Sequence, residues 1–313
     1  MRLPFNNNTQ INTYQPEAFI SGIILAQDNR DMPYILSNYI RTVHYIDSPT
    51  VLNYCIDNPL LKNDGVITEK LTVIPMKCVP NIVPSAIAVN SLNNGGYVFG
   101  TFNDGCIPGK AQYNNHYFIH DYLLYGYENE SFVSSAYLAD GHYREFRIAF
   151  DDYNRAMLTQ EPDMYMHLLY YNREKQPGFN EEQVIAAIQD YIASRPIADD
   201  GAVYGAKGIK LFADETEKRG GYIDIRSLCF LKEHKRLMRL RLSYMKEKCG
   251  LKLPDAVISQ YEAMETRLQT AVMLGLKSEV APSDALSARI AATVRSSAIQ
   301  DEGVLQKLLQ QYN

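Results

Sequence analysis

Two polar residues in the first half of the chain have the side chains that acid–base chemistry needs. His120 stands at the start of an apolar stretch, and Asp104 closes the apolar stretch before it. An imidazole with an ordinary pKa of about 6.5 can exchange a proton near neutral pH, and a nearby carboxylate can orient it. Residue type and position therefore permit an acid–base role for His120 and Asp104. Their structural alternatives are a hydrogen-bonded histidine within a strand and a carboxylate that caps a turn.

A cysteine could supply a nucleophile beside them. The chain has five cysteines and no CxxC pair, so they do not indicate a disulfide framework and we expect reduced thiols. Cys106 lies two residues after Asp104, at a predicted strand end. Cys55 closes a short predicted strand. These two are the possible nucleophiles, although burial as a small apolar residue is the commoner role of a single cysteine.

The elements that must position these residues form a recognisable order. The pattern predicts helices over 16–27, 32–45 and 83–92. β-branched and aromatic stretches bounded by Asn, Gly and Asp predict strands over 66–74, 96–102, 116–125, 132–137 and 143–149. Short turn sequences join the last three strands into an antiparallel meander. Helices followed by an antiparallel sheet indicate an α+β domain.

The second half of the chain has helical periodicity. Asn180 can cap a helix whose apolar stripe ends before Pro196. Further helices are predicted over 223–249, 254–276, 283–298 and 301–312. We therefore predict two domains, an α+β domain over 1–172 and a helical domain over 180–313, with a linker near 173–178.

Composition excludes several classes of function. The 313 residues carry a formal net charge of −5, without the basic excess of a general nucleic-acid binder. No apolar run approaches the roughly 20 residues that cross a bilayer, and the N-terminus does not look like a secretory signal. We expect a cytoplasmic protein with no membrane or nucleic-acid partner. His116 and His120 would lie about 13 Å apart on a strand, so we expect no metal site, and no motif indicates a cofactor.

The stretch 95–153 carries a resemblance to a known family. It has a glycine-rich strand ending in Asp, a nearby Ile-Pro, a His that opens a strand, and a Gly-Tyr-acidic close; these positions are Asp104, Pro108, His120, Gly126, Tyr127 and Glu128. In this order the chain resembles the butirosin-biosynthesis acyltransferase-like family over roughly residues 10–160. It is more distantly similar to the bacteriocin-processing cysteine peptidases, which have a papain-like fold.

The resemblance implies a papain-like fold and a function. Such folds carry the catalytic Cys at the start of the first long helix, but the matching segment here, 13–19, contains none. The family implies transfer of an acyl or peptidyl group from a carrier-protein thioester, bound through phosphopantetheine, to a small amine in nonribosomal peptide or polyketide-type biosynthesis. His120 would be the general base or acid and Asp104 its orienting partner. The helix start, including Gln15 and Glu17, would supply backbone N–H donors for an oxyanion.

Two other functions remain open from the sequence. The chain could be a non-catalytic, cysteine-peptidase-like scaffold that binds a carrier protein. It could also be a cysteine peptidase whose nucleophile has moved to Cys55 or Cys106. The locally basic stretch 232–241 is either a solvated helix face or a docking patch for an acidic partner such as a carrier protein.

Overall fold

The chain divides into two compact units, Met1–Asp31 with Asp57–Gln176, and Met32–Ile56 with Pro177–Asn313. The computed structural model describes residues 1–27, 32–46, 52–55, 65–75, 83–159, 163–175, 178–220 and 223–312. The segment 32–56 thus belongs with the second unit, whereas the sequence analysis assigns it to the first. Sequence patterns reveal elements, but which core an element joins is decided by tertiary packing.

The described residues of the first unit form both helices and strands, and those of the second unit are mainly helical. The helices are α1 (Gln15–Leu25), α2 (Met32–Ser37), α3 (Pro84–Asn93), α4 (Phe150–Leu158), α5 (Glu181–Ala193), α6 (Gly205–Arg219), α7 (Ile225–Lys248), α8 (Asp255–Val280) and α9 (Asp284–Leu309). The strands are β1 (Thr42–His44), β2 (Leu52–Tyr54), β3 (Ile67–Pro75), β4 (Tyr97–Asn103), β5 (Ile119–Glu128), β6 (Ser131–Tyr137), β7 (Tyr143–Ala149), β8 (Asp163–Tyr171) and β9 (Val203–Tyr204).

A six-stranded sheet forms the centre of the first unit. Its strand order is β3-β8-β4-β5-β6-β7, and every neighbouring pair is antiparallel. The predicted meander corresponds to β5, β6 and β7. Asn129 and Glu130 both have positive φ in the turn between β5 and β6, as a two-residue hairpin turn of the primed type requires. β8 was not predicted, because a short apolar run is equally compatible with a buried helix.

Aromatic side chains fill the core between this sheet and the helices α3 and α4. The rings of Phe102 and Tyr122 stack at 4.7 Å between centroids, and Phe132 and Tyr153 meet at 4.8 Å. The hydroxyls of Tyr122 and Tyr153 are hydrogen-bonded at 2.9 Å, so the polar ends of these two buried rings are paired. This core fixes β4 and β5, the strands that lead to Asp104 and His120.

The second unit combines a small sheet with long helices. Its strands have the order β2-β1-β9 and are antiparallel. The prediction of separate helices over 283–298 and 301–312 was wrong, because α9 runs without a break from Asp284 to Leu309. The helix α6 and the strand β9 were not predicted. The chain is therefore α+β, with antiparallel sheets and a helical C-terminal region.

The predicted helix over 32–45 was also wrong beyond its first turns. The helix α2 ends at Ser37, and β1 begins at Thr42. Tertiary hydrogen bonds explain the early end. The buried guanidinium of Arg241 donates from Nε to the carbonyl oxygen of Leu36 and from Nη2 to that of Asn38, both at 2.5 Å. These bonds satisfy carbonyl groups that a longer helix would have used internally.

Candidate functional site

Gln15 is the first residue of α1, and its side chain reaches the strand that carries His120. Gln15 Nε2 lies 2.7 Å from His120 Nδ1 and 3.2 Å from the carbonyl oxygen of Asp121. Gln15 Oε1 accepts a hydrogen bond from Tyr137 N–H at 3.1 Å. Only 4% of Gln15 is exposed. The carboxamide is therefore held at three points, directly against the candidate catalytic histidine.

Gln15 fills the place where β5 and β6 separate. These two strands pair as far as Leu124 and Ser134. Continued for three more residues, that register would set Asp121 opposite Tyr137. Instead, the Gln15 carboxamide lies between them, donating to the carbonyl of the first and accepting from the N–H of the second. The Gln15 side chain thus replaces the missing backbone hydrogen bonding between β5 and β6 at this point and satisfies two backbone groups.

His120 presents one ring nitrogen to the protein and leaves the other available. Its Cα lies opposite Phe102 in the sheet, and its ring stacks on that of Phe118 at 5.6 Å and 24°. Both hydrogen-bonding contacts of the ring are at Nδ1, to Gln15 at 2.7 Å and to the carbonyl oxygen of Asp121 at 3.4 Å. Within the described residues, Nε2 has no hydrogen-bond partner. The ring is half-buried, so a ligand can approach it.

The turn that carries Asp104 is fastened to the start of β5. A short 3-10 turn spans Asp104–Cys106. Asn103 Oδ1 accepts from the N–H of Gly105 at 3.0 Å and from that of Phe118 at 3.1 Å. Asp104 N–H in turn donates to the Phe118 carbonyl at 2.8 Å. These bonds fix the position of Asp104 relative to the residue two places before His120.

The partner of Asp104 is a buried lysine. Lys110 Nζ lies 3.3 Å from Asp104 Oδ1, and 4% of Lys110 and 6% of Asp104 are exposed. The ammonium also lies 5.6 Å from the centroid of the Phe146 ring, within the range of a cation–π contact. Because both charges are removed from water, each depends on the other for compensation.

These charges interact with one another and with His120. Burial raises the pKa of Asp104, and the opposing attraction of Lys110 and His120 reduces that rise. Burial also raises the pKa of Asp121; His120 and Lys110 oppose this rise, and Asp104 adds to it. Burial lowers the pKa of Lys110 against the attraction of both carboxylates. Several mutually perturbed groups in one place are typical of functional sites, and structural ion networks show them too.

Sequence reasoning named His120, Asp104 and Gln15 but missed Lys110 and Asp121. Asp121 directly follows His120, and in a strand adjacent residues point to opposite faces, so residue spacing does not place both side chains at one site. Lys110 lies in the loop between the two candidate residues. Its position six residues after Asp104 was the available signal, but a surface lysine is the usual expectation for such a loop.

Neither Cys106 nor Cys55, the two possible nucleophiles, is among the hydrogen-bond partners of the His120 ring. Cys106 Sγ contacts Thr159 Oγ1 at 4.0 Å, and the carbonyl of Cys106 accepts from Arg155 Nη2 at 3.0 Å. Cys55 belongs to the second unit and follows β2, with its N–H bonded to the Arg41 carbonyl at 2.8 Å. Cys78 lies outside the described residues. A catalytic role for Cys55 or Cys106 remains a prediction.

Glu17, the other residue predicted at the oxyanion region, is buried in the first turns of α1 with 4% exposed. The structure brings the Gln15 side chain, rather than only its backbone, into contact with His120. The first turn of α1 and the start of β5 are therefore neighbours, as a site at the helix N-terminus requires.

Three cations of the basic stretch 232–241 are buried or paired within their own unit. Lys235 and Arg241 are fully buried, and Lys235 Nζ lies 2.6 Å from Asp301 Oδ2. Arg239 pairs with Glu265. For Lys235 and Arg241, neither a solvated helix face nor a docking patch is found, because α7 turns these two side chains towards neighbouring helices and loops of its own unit.

Neither a scan against protein-family models nor a search of curated proteins returned a match to this chain. The described residues contain no group of three or more His, Cys, Asp or Glu side chains placed to hold a metal ion. Among those same residues, no helix is long and apolar enough to cross a membrane.

Proposed function

We propose that this protein forms amide bonds, transferring an acyl or peptidyl group from a carrier-protein thioester to an amine. The observation that carries the proposal is the 2.7 Å contact between Gln15 Nε2 and His120 Nδ1 at the first residue of α1. In the papain-like fold that we propose for the first unit, this is the place of the nucleophilic thiol. The Gln15 carboxamide at this place cannot act as the nucleophile that forms an acyl-enzyme. The amine therefore attacks the thioester directly.

Direct attack is chemically complete without a protein nucleophile. The amine nitrogen bonds to the thioester carbon, the carbon–sulfur bond breaks, and a proton of the amine ends on the departing thiolate. A thioester is already activated, so the protein needs to position the reactants and stabilise the charge on the carbonyl oxygen. His120 provides acid–base or hydrogen-bonding chemistry at the carbonyl. Asp104 influences it through charge, with Lys110 compensating that carboxylate.

The proposed substrates follow from the resemblance to the butirosin-biosynthesis acyltransferase-like family. The acyl donor is a phosphopantetheine thioester on an acyl or peptidyl carrier protein, the acceptor is a small amine, and the reaction belongs to natural-product biosynthesis in the cytoplasm. The exposed residues Tyr117, Phe118 and Ile119, with 61%, 43% and 37% of their surface accessible, directly precede His120. They offer an apolar surface for an acyl chain.

The experiment is an aminolysis assay on the whole protein with acyl-pantetheine thioesters and a panel of amines, read by mass spectrometry. We expect amide without a covalent protein adduct. His120→Ala should lower the rate about a hundredfold or more, since acid–base groups typically contribute 10²–10⁴. The matched control is His142→Ala, whose residue lies in the exposed turn between β6 and β7. Full activity in His120→Ala would exclude a catalytic role for this residue.

A second function is favoured by a specific feature of the same site. All three hydrogen bonds of the Gln15 carboxamide are used within the protein, as they would be in a non-catalytic scaffold that binds a carrier protein. Carrier binding without amide formation would support the scaffold. An acylated or iodoacetamide-sensitive Cys106 or Cys55, with release of a peptide amine, would instead support a relocated peptidase nucleophile.

A further inference from the structure

We infer that Gln15 is a positioning residue that holds His120 as the neutral tautomer protonated on Nε2, so that His120 acts as a hydrogen-bond donor to the substrate carbonyl rather than as a base. The tautomer follows from geometry alone. The donor role towards a thioester rests on the proposed function.

The orientation of the Gln15 carboxamide is determined by its two ends. A backbone N–H, that of Tyr137, faces Oε1 at 3.1 Å, and a backbone carbonyl, that of Asp121, faces the nitrogen at 3.2 Å. Reversing the amide would set an NH₂ group against an N–H and two carbonyl oxygens against each other. Both contacts would become repulsive, so Nε2 is the atom that faces His120.

The proton on the ring follows from that orientation. Gln15 Nε2 carries only donor hydrogens, and it lies 2.7 Å from His120 Nδ1. Nδ1 must therefore offer its lone pair, and the single proton of a neutral imidazole is then on Nε2. The Asp121 carbonyl oxygen, which is an acceptor, also lies near Nδ1 but at 3.4 Å. The closer group is the Gln15 donor, and it determines the pairing of Nδ1.

This tautomer changes what His120 can do. The lone pair that a general base needs is at Nδ1 and is already engaged by Gln15. The Nε2–H has no partner among the described residues and belongs to a half-buried ring. It is free to donate to an oxygen on which negative charge develops, which is the function of an oxyanion hole. The proton lost by the amine then passes to the departing thiolate without entering the ring.

The direct test is nitrogen-resolved NMR of the histidine ring in the whole protein. Long-range couplings distinguish a protonated ring nitrogen from one with a lone pair, and the His120→Asn variant assigns the signals. We expect a protonated Nε2 and an unprotonated Nδ1 in the wild type. A protonated Nδ1 in the wild-type ring would overturn the inference, and this measurement needs no variant at position 15 to fold.

Gln15→Glu supplies the matched perturbation. The carboxylate keeps an acceptor for Tyr137 N–H, but it replaces the donors to both His120 Nδ1 and the Asp121 carbonyl by an acceptor. We expect Nδ1 to become protonated and amide formation to fall about a hundredfold, the typical effect of losing one oxyanion donor. Gln27→Glu makes the same chemical change just beyond the other end of α1, where Gln27 bonds Tyr97, and it should leave the His120 signals unchanged.

The two hypotheses fail separately. An unchanged tautomer in a folded Gln15→Glu variant would show that Gln15 only bridges β5 and β6, and it would overturn the inference even if amide were formed. A protonated Nε2 in a protein that forms no amide from any thioester would support the tautomer and overturn the proposed function.

Discussion

Lys110 and Asp104 form an ion pair that is closed to solvent, with 3.3 Å between Nζ and Oδ1. The pair connects Lys110, in the loop that follows the 3-10 turn, to Asp104, the first residue of that turn. It also sets the charge near His120, since both residues interact electrostatically with the histidine or its neighbour Asp121. Removing one member of a buried pair leaves the other without compensation, which is usually far more costly than removing both.

Lys110→Met should destabilise the protein in a pH-dependent way. Burial already raises the pKa of Asp104 and of Asp121, and loss of the cation raises both further. A carboxyl whose pKa in the folded protein exceeds its unfolded value of about 4 binds more protons when the protein is folded. The free energy of unfolding therefore falls as pH rises from the unfolded pKa to the folded pKa. We expect little loss near pH 4 and about 3 kcal/mol at pH 8, measured by urea unfolding at both values.

The control for this prediction is the double variant Lys110→Met with Asp104→Asn. Without the ionisable carboxyl, most of the loss at pH 8 should be recovered. A loss in Lys110→Met that is equal at both pH values would mean that packing of the lysine stem, not charge, is responsible.

Gln15→Cys should install a reactive thiol. The new sulfur would lie at the N-terminal end of α1, close to His120 Nδ1, and both features favour a thiolate. We expect alkylation by iodoacetamide near neutral pH at a rate at least about tenfold above that of any native cysteine, and a stable acyl adduct with a thioester. Intact-mass spectrometry measures both.

Gln15→Cys combined with His120→Ala provides the comparison. If His120 activates the thiol, the double variant should lose most of the reactivity while keeping the cysteine. Equal alkylation rates in the single and double variants would contradict the proximity of these two positions.

Gly126→Ala should destabilise the first unit by about 1–3 kcal/mol. A Cβ at this position would lie 2.8 Å from the carbonyl oxygen of Met1 and 3.1 Å from Arg2 Cα. The N-terminal segment pairs here with β5, since Leu3 N–H donates to the Tyr125 carbonyl at 2.7 Å. Thermal unfolding measures the loss. Gly303→Ala in α9, where a Cβ meets nothing within 4 Å, should be neutral or stabilising.

Asp301→Asn should be strongly destabilising in the second unit. Asp301 Oδ2 accepts from Lys235 Nζ at 2.6 Å and from Tyr191 OH at 2.7 Å, and Oδ1 accepts from Tyr261 OH at 2.6 Å. Burial by itself raises the pKa of Asp301, but Lys235, His234 and the hydrogen bonds outweigh it and lower the pKa. Removing this charge leaves a buried ammonium without compensation, at a cost of about 3–5 kcal/mol.

Chemical denaturation checks this prediction. Asp214→Asn serves as the control, because its partner Arg295 is a half-exposed cation on the same helix as Asp301 and such pairs contribute less than about 1 kcal/mol. Comparable losses in the two variants would show that the buried network is not a major source of stability. Combining Asp301→Asn with Lys235→Met should cost less than the sum of the single changes.

Local sequence patterns were enough for much of the first unit. The strands β5, β6 and β7 were predicted because β-branched and aromatic stretches alternate with short turns. The helix α1 was predicted from its early Pro and its apolar spacing, and α3 from the Asn-Gly sequence at its end. His120 and Asp104 were named because they fill positions of the family pattern that the stretch 95–153 resembles. The early end of α2 was not predictable, since it depends on Arg241, some 200 residues later in the chain.

By itself, the sequence determined the α+β class, the meander and the absence of a cysteine at the start of α1, because these depend on residue types and on neighbours in the chain. Only the tertiary structure decided that Gln15 lies against His120, that Lys110 is buried beside Asp104, and that residues 32–56 belong with the second unit. Each of these is a relationship between distant residues. Such relationships are selected by packing and by the pairing of buried polar groups, which local patterns do not record.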